Sequence, residues 1–150
     1  EQAAALKALG STRREQCVDT LIGASIEGNT PYRARHGAVD GLGQIVRYVS
    51  NPMRAKITER CIEILRDAEP NLRLHAAKVL GVARDKESIA YLEAYRASLP
   101  LQQKVAIDRI LADINKQEDQ AILSLQRQVE DLQGKIRKMT EKIQELEDKR

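Results

Sequence analysis

The chain of 150 residues has no Trp and no Phe, and its aromatic content is four Tyr. Any core must be built from Leu, Ile, Val and Ala, which suits close-packed helices. No apolar run approaches 18 residues and charged residues make up 31%, so no segment is expected to span a membrane. No basic-apolar-small leader opens the chain. No stretch alternates with period two, so strands are not expected. There are two cysteines, Cys17 and Cys61, and no Cys-x-x-Cys. Two cannot make a disulfide framework, and each falls at an apolar position of an expected helix. They read as buried free thiols in a reducing, cytoplasmic compartment, with a disulfide or a reactive thiol as the alternative. Histidine is equally scarce, at His36 and His75, with no His-Glu-x-x-His and no Cys/His cluster. No metal site and no cofactor are expected. Asp40 has no recognisable partner in the sequence, and no carboxylate pair or nucleophile–base set is legible from spacing. The chain by itself is read as non-catalytic.

What is present is repetition. Pro31 to Gly43 reads PYRARHGAVDGLG, and Pro70 to Gly81 reads PNLRLHAAKVLG. Both carry Arg-x-x-Ala-x-x-x-Leu-Gly: Arg35, Ala38, Leu42, Gly43, then Arg73, Ala76, Leu80, Gly81. Fainter copies lie at Gln2, Ala5, Leu9, Gly10 and at Lys104, Ile107, Leu111, Ala112. A period of roughly 30–40 residues marks a stacked repeat array. The pattern predicts helices over about 12–27, 31–49, 52–67, 70–84 and 87–98, and another from Leu101. Thr30 serves as N-cap to the second, and all four prolines stand at helix starts, where the missing N–H is harmless. Gly37, Gly41 and Gly43 lie within one helix and suit close helix approach better than a phosphate cradle.

The helices pair as outer helix, turn, inner helix, over about 12–49, 52–84 and 87–116. The opening helix is half of a further pair, so the first repeat is truncated. Together with the opening Glu, this suggests a C-terminal piece of a longer protein. The repeated phrase, with a polar residue six positions before the Arg, resembles the HEAT repeat. The resemblance implies an all-α superhelix of stacked hairpins over residues 1–116. It also implies a ladder in which an Asp of the turn and an Arg of the inner helix hydrogen-bond along the stack. The residues in those positions are Asn29 with Arg35, Asp67 with Arg73, and Ser98 with Lys104.

Residues 117–150 differ. Residues 1–116 carry 18 Lys+Arg against 14 Asp+Glu, whereas 117–150 carry 7 against 8. Ile122, Leu125, Val129, Leu132, Ile136, Met139, Ile143 and Leu146 are spaced alternately by three and four. That is a coiled-coil seam of four heptads. The a positions are Ile122, Val129, Ile136 and Ile143; the d positions are Leu125, Leu132, Met139 and Leu146. β-Branched a with Leu-like d favours a parallel dimer, so a homo-oligomer through 122–146 is expected. Antiparallel pairing, docking on another surface and a merely solvated helix stay open at this stage. NKQEDQ, residues 115–120, contains no Gly or Pro, so the last repeat helix either runs into the coil or kinks there.

A basic group, Arg33, Arg47, Arg54, Lys56 and Arg60, with Arg84 beyond it, marks a candidate partner or anion surface. With only Tyr32 and Tyr48 interleaved, nucleic-acid binding is the lesser reading beside a solvated face and a protein partner. The main expectation is a scaffold for protein interaction, assembled by its coil. A second resemblance bears on the parent. GNTPYRARHGAVDGLGQI, followed by another pair and a terminal coil, is similar to the C-terminal helical region of gluzincin zinc aminopeptidases. It implies a non-catalytic accessory region of a metallopeptidase whose zinc site lies upstream.

Overall fold

The computed structural model describes the backbone of residues 1–150 and every side chain except those of Gln117 and Glu118. Among the described residues there are seven α-helices and no strand. They are α1 (Gln2–Ser11), α2 (Val18–Ala24), α3 (Tyr32–Ile45), α4 (Asn51–Ile64), α5 (Pro70–Ala83), α6 (Ile89–Ala97) and α7 (Leu101–Asp148). Short 3-10 turns, Glu15–Cys17 and Lys86–Ser88, lead into α2 and α6. Two compact units result, Glu1–Ile114 and Asn115–Arg150. No helix among the described residues is long and apolar enough to cross a membrane.

In the first unit α1, α3 and α5 stack side by side, α2 packs on α3, and α4 packs on α5. The core runs through Leu21, Leu42, Ile45, Ile57, Ile64, Leu72, Leu80, Leu92 and Ile107, all at most 1% exposed. These are aliphatic side chains at helical spacing, as the composition requires. Cys61 belongs to this core, and burial pushes its thiol up to about 12. Both Cys17 and Cys61 are free.

Local chemistry sets the helix ends, and three expectations change. Residues 12–27 do not form one helix. Arg13 is left-handed (φ 56°) and Arg14 extended, so helical geometry begins at the 3-10 turn. Thr30 does not cap α3. Its hydroxyl donates to the Ala24 carbonyl (2.6 Å), and Asn29 Nδ2 donates to the Gly23 carbonyl (3.0 Å). Both side chains satisfy the open carbonyls at the end of α2. Pro31 is then the residue that opens α3, Pro52 and Pro70 stand in the first turns of α4 and α5, and Pro100 immediately precedes α7. Helix α3 ends at Ile45, short of Val49.

α5 ends on Arg84 in the left-handed region (φ 56°, ψ 40°), a position that usually holds Gly. Arg84→Gly should therefore raise stability by about 0.5–1 kcal/mol, the relieved strain exceeding the added chain entropy. A urea melt reads the gain directly.

The inner helices approach so closely that they need glycine. A Cβ built on Gly37 would lie 2.2 Å from the Ala3 carbonyl oxygen, and one on Gly10 would lie 2.2 Å from that of Gly41. Both clashes are with backbone, which cannot swing aside. Farther along, a Cβ on Gly81 would lie 2.8 Å from Ile110 of α7. Gly23, by contrast, has nothing within 4 Å of the added atom. The same substitution should thus have opposite signs at two helical sites. Gly37→Ala should cost about 1–3 kcal/mol through overpacking. Gly23→Ala should gain up to about 1 kcal/mol from helix propensity. Equilibrium unfolding of the two variants provides the comparison.

Candidate interaction surfaces

The most buried polar cluster sits where α2 ends. Ser25 is fully buried, and its carbonyl accepts from two guanidinium groups, Arg35 Nε at 3.0 Å and Arg60 Nη2 at 3.1 Å. Its hydroxyl accepts from Arg60 Nε at 2.9 Å and donates to the Ile22 carbonyl at 2.6 Å. Two cations thus meet the negative end of α2. Arg35 also forms an ion pair with Asp67 in the turn between α4 and α5; the side chains are 5% and 10% exposed. Asp67 Oδ1 accepts in turn from the Glu69 amide at 3.1 Å. Burial pushes the Asp67 carboxyl up. The Arg35 hydrogen bond, the Glu69 amide and the charges of Arg35 and Arg60 outweigh it and hold the group below its ordinary value.

This corrects the ladder as paired by repeat. Arg35 reaches forward to Asp67 of the next repeat, while Asn29 turns back to cap α2. Arg73 does not take Asp67. Its guanidinium lies 5.9 Å from the centre of the Tyr95 ring, and its buried Nε has no hydrogen-bond partner. The third repeat is held differently, by a pair in which Arg96 of α6 grips both carboxylate oxygens of Asp108 of α7.

A second cluster lines the face shared by α1, α3 and α5. Asp40 has partners after all. Its Oδ1 lies 2.7 Å from His75 Nδ1 and its Oδ2 lies 3.6 Å from Lys7 Nζ. His36 stands edge-on to Tyr32 and to His75, with ring centres 4.7 and 4.9 Å apart. Burial lowers the His36 pKa, the charge of His75 lowers it further, and Asp40 and Glu69 only partly offset this. The neutral imidazole is thereby favoured, and its Nε2 is buried and unpaired. The cluster ties three inner helices together. Among the described residues no three His, Cys, Asp or Glu side chains converge as metal ligands. The signal in the sequence was the polar stripe Tyr32, His36, Asp40, Gln44 at four-residue spacing along α3.

The basic residues do not form one positive face. Arg60 is drawn into the Ser25 junction. Lys56 Nζ lies 3.2 Å from Asp19, and Arg47 Nε donates weakly to the Val82 carbonyl at 3.4 Å. Arg54 and Arg84 line a hollow shared with Asp85 and Glu87, where the signs are mixed. Arg33 is exposed. Interior and opposite-charge contacts thus engage Arg60 and Lys56, while Arg33, Arg47 and Arg84 stay exposed.

In the second unit, the seam residues Ile122, Leu125, Val129, Leu132, Ile136, Met139, Ile143 and Leu146 are 46–67% exposed. They form a continuous uncovered apolar stripe on α7, which is helical without interruption from Leu101 to Asp148. Gly134 falls on the outward f position, with open space around it. No protein-family model, no curated protein and no solved structure matches the chain.

Proposed function

We propose that this chain is a non-catalytic scaffold: HEAT-like repeats that present an inner helical face to a protein partner, and a terminal coil that joins copies of the chain. The observation that carries this is the seam. Eight apolar residues in unbroken heptad spacing, each about half exposed or more, form a stripe that water solvates poorly. The repeat unit supports the other half of the proposal. Its polar groups are spent on internal junctions rather than gathered as a nucleophile, base and orienting group. Free, half-buried or buried thiols are consistent with a reducing compartment such as the cytoplasm. Light scattering of the chain over a range of concentrations tests the assembly. A mass of twice the 16.8 kDa chain supports it, and a single-chain mass throughout overturns it.

The wording of residues 28–45 supports a narrower reading of the parent, a helical accessory region of a zinc aminopeptidase. Sequencing upstream decides it: a His-Glu-x-x-His helix in the same open reading frame is expected, and an upstream region without one ends that reading.

A further inference from the structure

We infer that the second copy lies parallel and in register on the 122–146 seam, and that a column of lysines along one flank disfavours the reverse orientation. This rests on the coil reading above. With Ile122 at a, Gln128, Lys135, Lys142 and Lys149 fall at g, while Gln126, Gln133, Thr140 and Glu147 fall at e. All eight are exposed. In a parallel pair each g residue faces the e residue of the following heptad on the other helix. Lys142 then meets Glu147 of the second copy, twice by symmetry. Lys135 meets Thr140, Gln128 meets Gln133, and no like charges adjoin.

Reversing one helix brings g against g and e against e. With the seam fully overlapped, Lys135 then faces Lys135 of the second copy across the symmetry axis. Sliding one way by a heptad sets Lys135 against Lys142. Sliding the other way separates the lysines but leaves Ile143 and Leu146 of both copies uncovered. Asp131 draws Lys135 along its own helix, at 3.0 Å, which softens the conflict. Both side chains are about two-thirds exposed, so that pair is weak and does not remove it. The apolar layers agree with the charges. All four a positions are β-branched and no d position is, the combination that selects two parallel strands.

A charge swap tests the orientation, because Lys142 and Glu147 of different copies adjoin only in the parallel pair. Lys142→Glu alone and Glu147→Lys alone should each raise the dimer Kd by about tenfold, as two attractive contacts become repulsive. The double variant should return to within about threefold of the parent. Circular dichroism of each variant separates loss of pairing from loss of helix. Independently, Leu146→Cys in a Cys17→Ser background should oxidise to a disulfide-linked dimer through residue 146. In the reversed pair those two positions would stand about 36 Å apart along the axis, at 1.5 Å per residue. A dimer that neither cross-links through 146 nor shows rescue by the swap overturns the parallel arrangement while leaving the coil reading intact. A parent chain that stays monomeric overturns both.

Discussion

Ile136→Asp is expected to convert a dimeric chain into a monomer whose repeat unit still melts as the parent does. Ile136 occupies a central a layer of the seam and is 60% exposed in the single chain, so it has its partner only after association. Each copy loses the burial of one isoleucine, about 2–3 kcal/mol. The substitution also sets two carboxylates face to face in an apolar layer, where neither finds a counter-charge. Doubled over the pair, the loss is about 4–6 kcal/mol before the charge is counted, or at least a thousandfold in Kd. No residue of the Val18–Ile114 core touches the prediction, since that core contains nothing beyond Ile114. Light scattering reads the mass, and thermal unfolding followed at 222 nm reads the intact repeats.

The second large effect is expected inside the repeat unit. Arg35→Ala should lower the unfolding free energy by about 3–5 kcal/mol, because it leaves the buried Asp67 carboxylate without its counter-charge. The Ser25 carbonyl keeps Arg60 and loses only one of two donors. The pH dependence separates this cause from simple loss of packing. In the parent the folded pKa of Asp67 is held below the unfolded value. Its contribution is therefore present above the ordinary carboxylate range and is lost as pH falls through the folded pKa. With the guanidinium gone, only the Glu69 amide and the Arg60 charge still oppose burial, so the folded pKa moves up and the stability that the depression supplied is lost. The difference in stability between parent and variant should thus narrow as pH falls from 7 to below the ordinary carboxylate range. A difference that stays constant across that range would assign the effect to packing alone. Asp67→Asn beside it should remove the pH dependence.

The fold was legible where local rules decide. Prolines at the helix starts and the aliphatic spacing of Ile57, Cys61, Ile64 and Leu65 put α4 and α5 within a few residues of their observed bounds. The apolar stripe along α7 was equally readable, because helical spacing is a one-dimensional pattern. What was not legible depends on how one helix is turned against another. Asp40 and His75 are 35 residues apart and meet only because α3 and α5 stack with those faces together. Arg60 reads as a surface cation in the sequence, and only the crossing of α4 over α2 turns it onto Ser25. The left-handed Arg13 and Arg84 carried no signal at all, since the usual mark of that conformation is Gly or Asn.

The Arg35–Asp67 pair has a consequence for how the array comes apart. It couples the first full repeat to the second, with the Ser25 clasp beside it, so those two are bound to open together. Between the second repeat and the third the matching arginine, Arg73, has only a ring face and an unpaired Nε. In a linear array nearest-neighbour contacts carry the coupling. Its polar part is unevenly distributed here, and α6 with the start of α7 is where hydrogen exchange is expected to report the first opening.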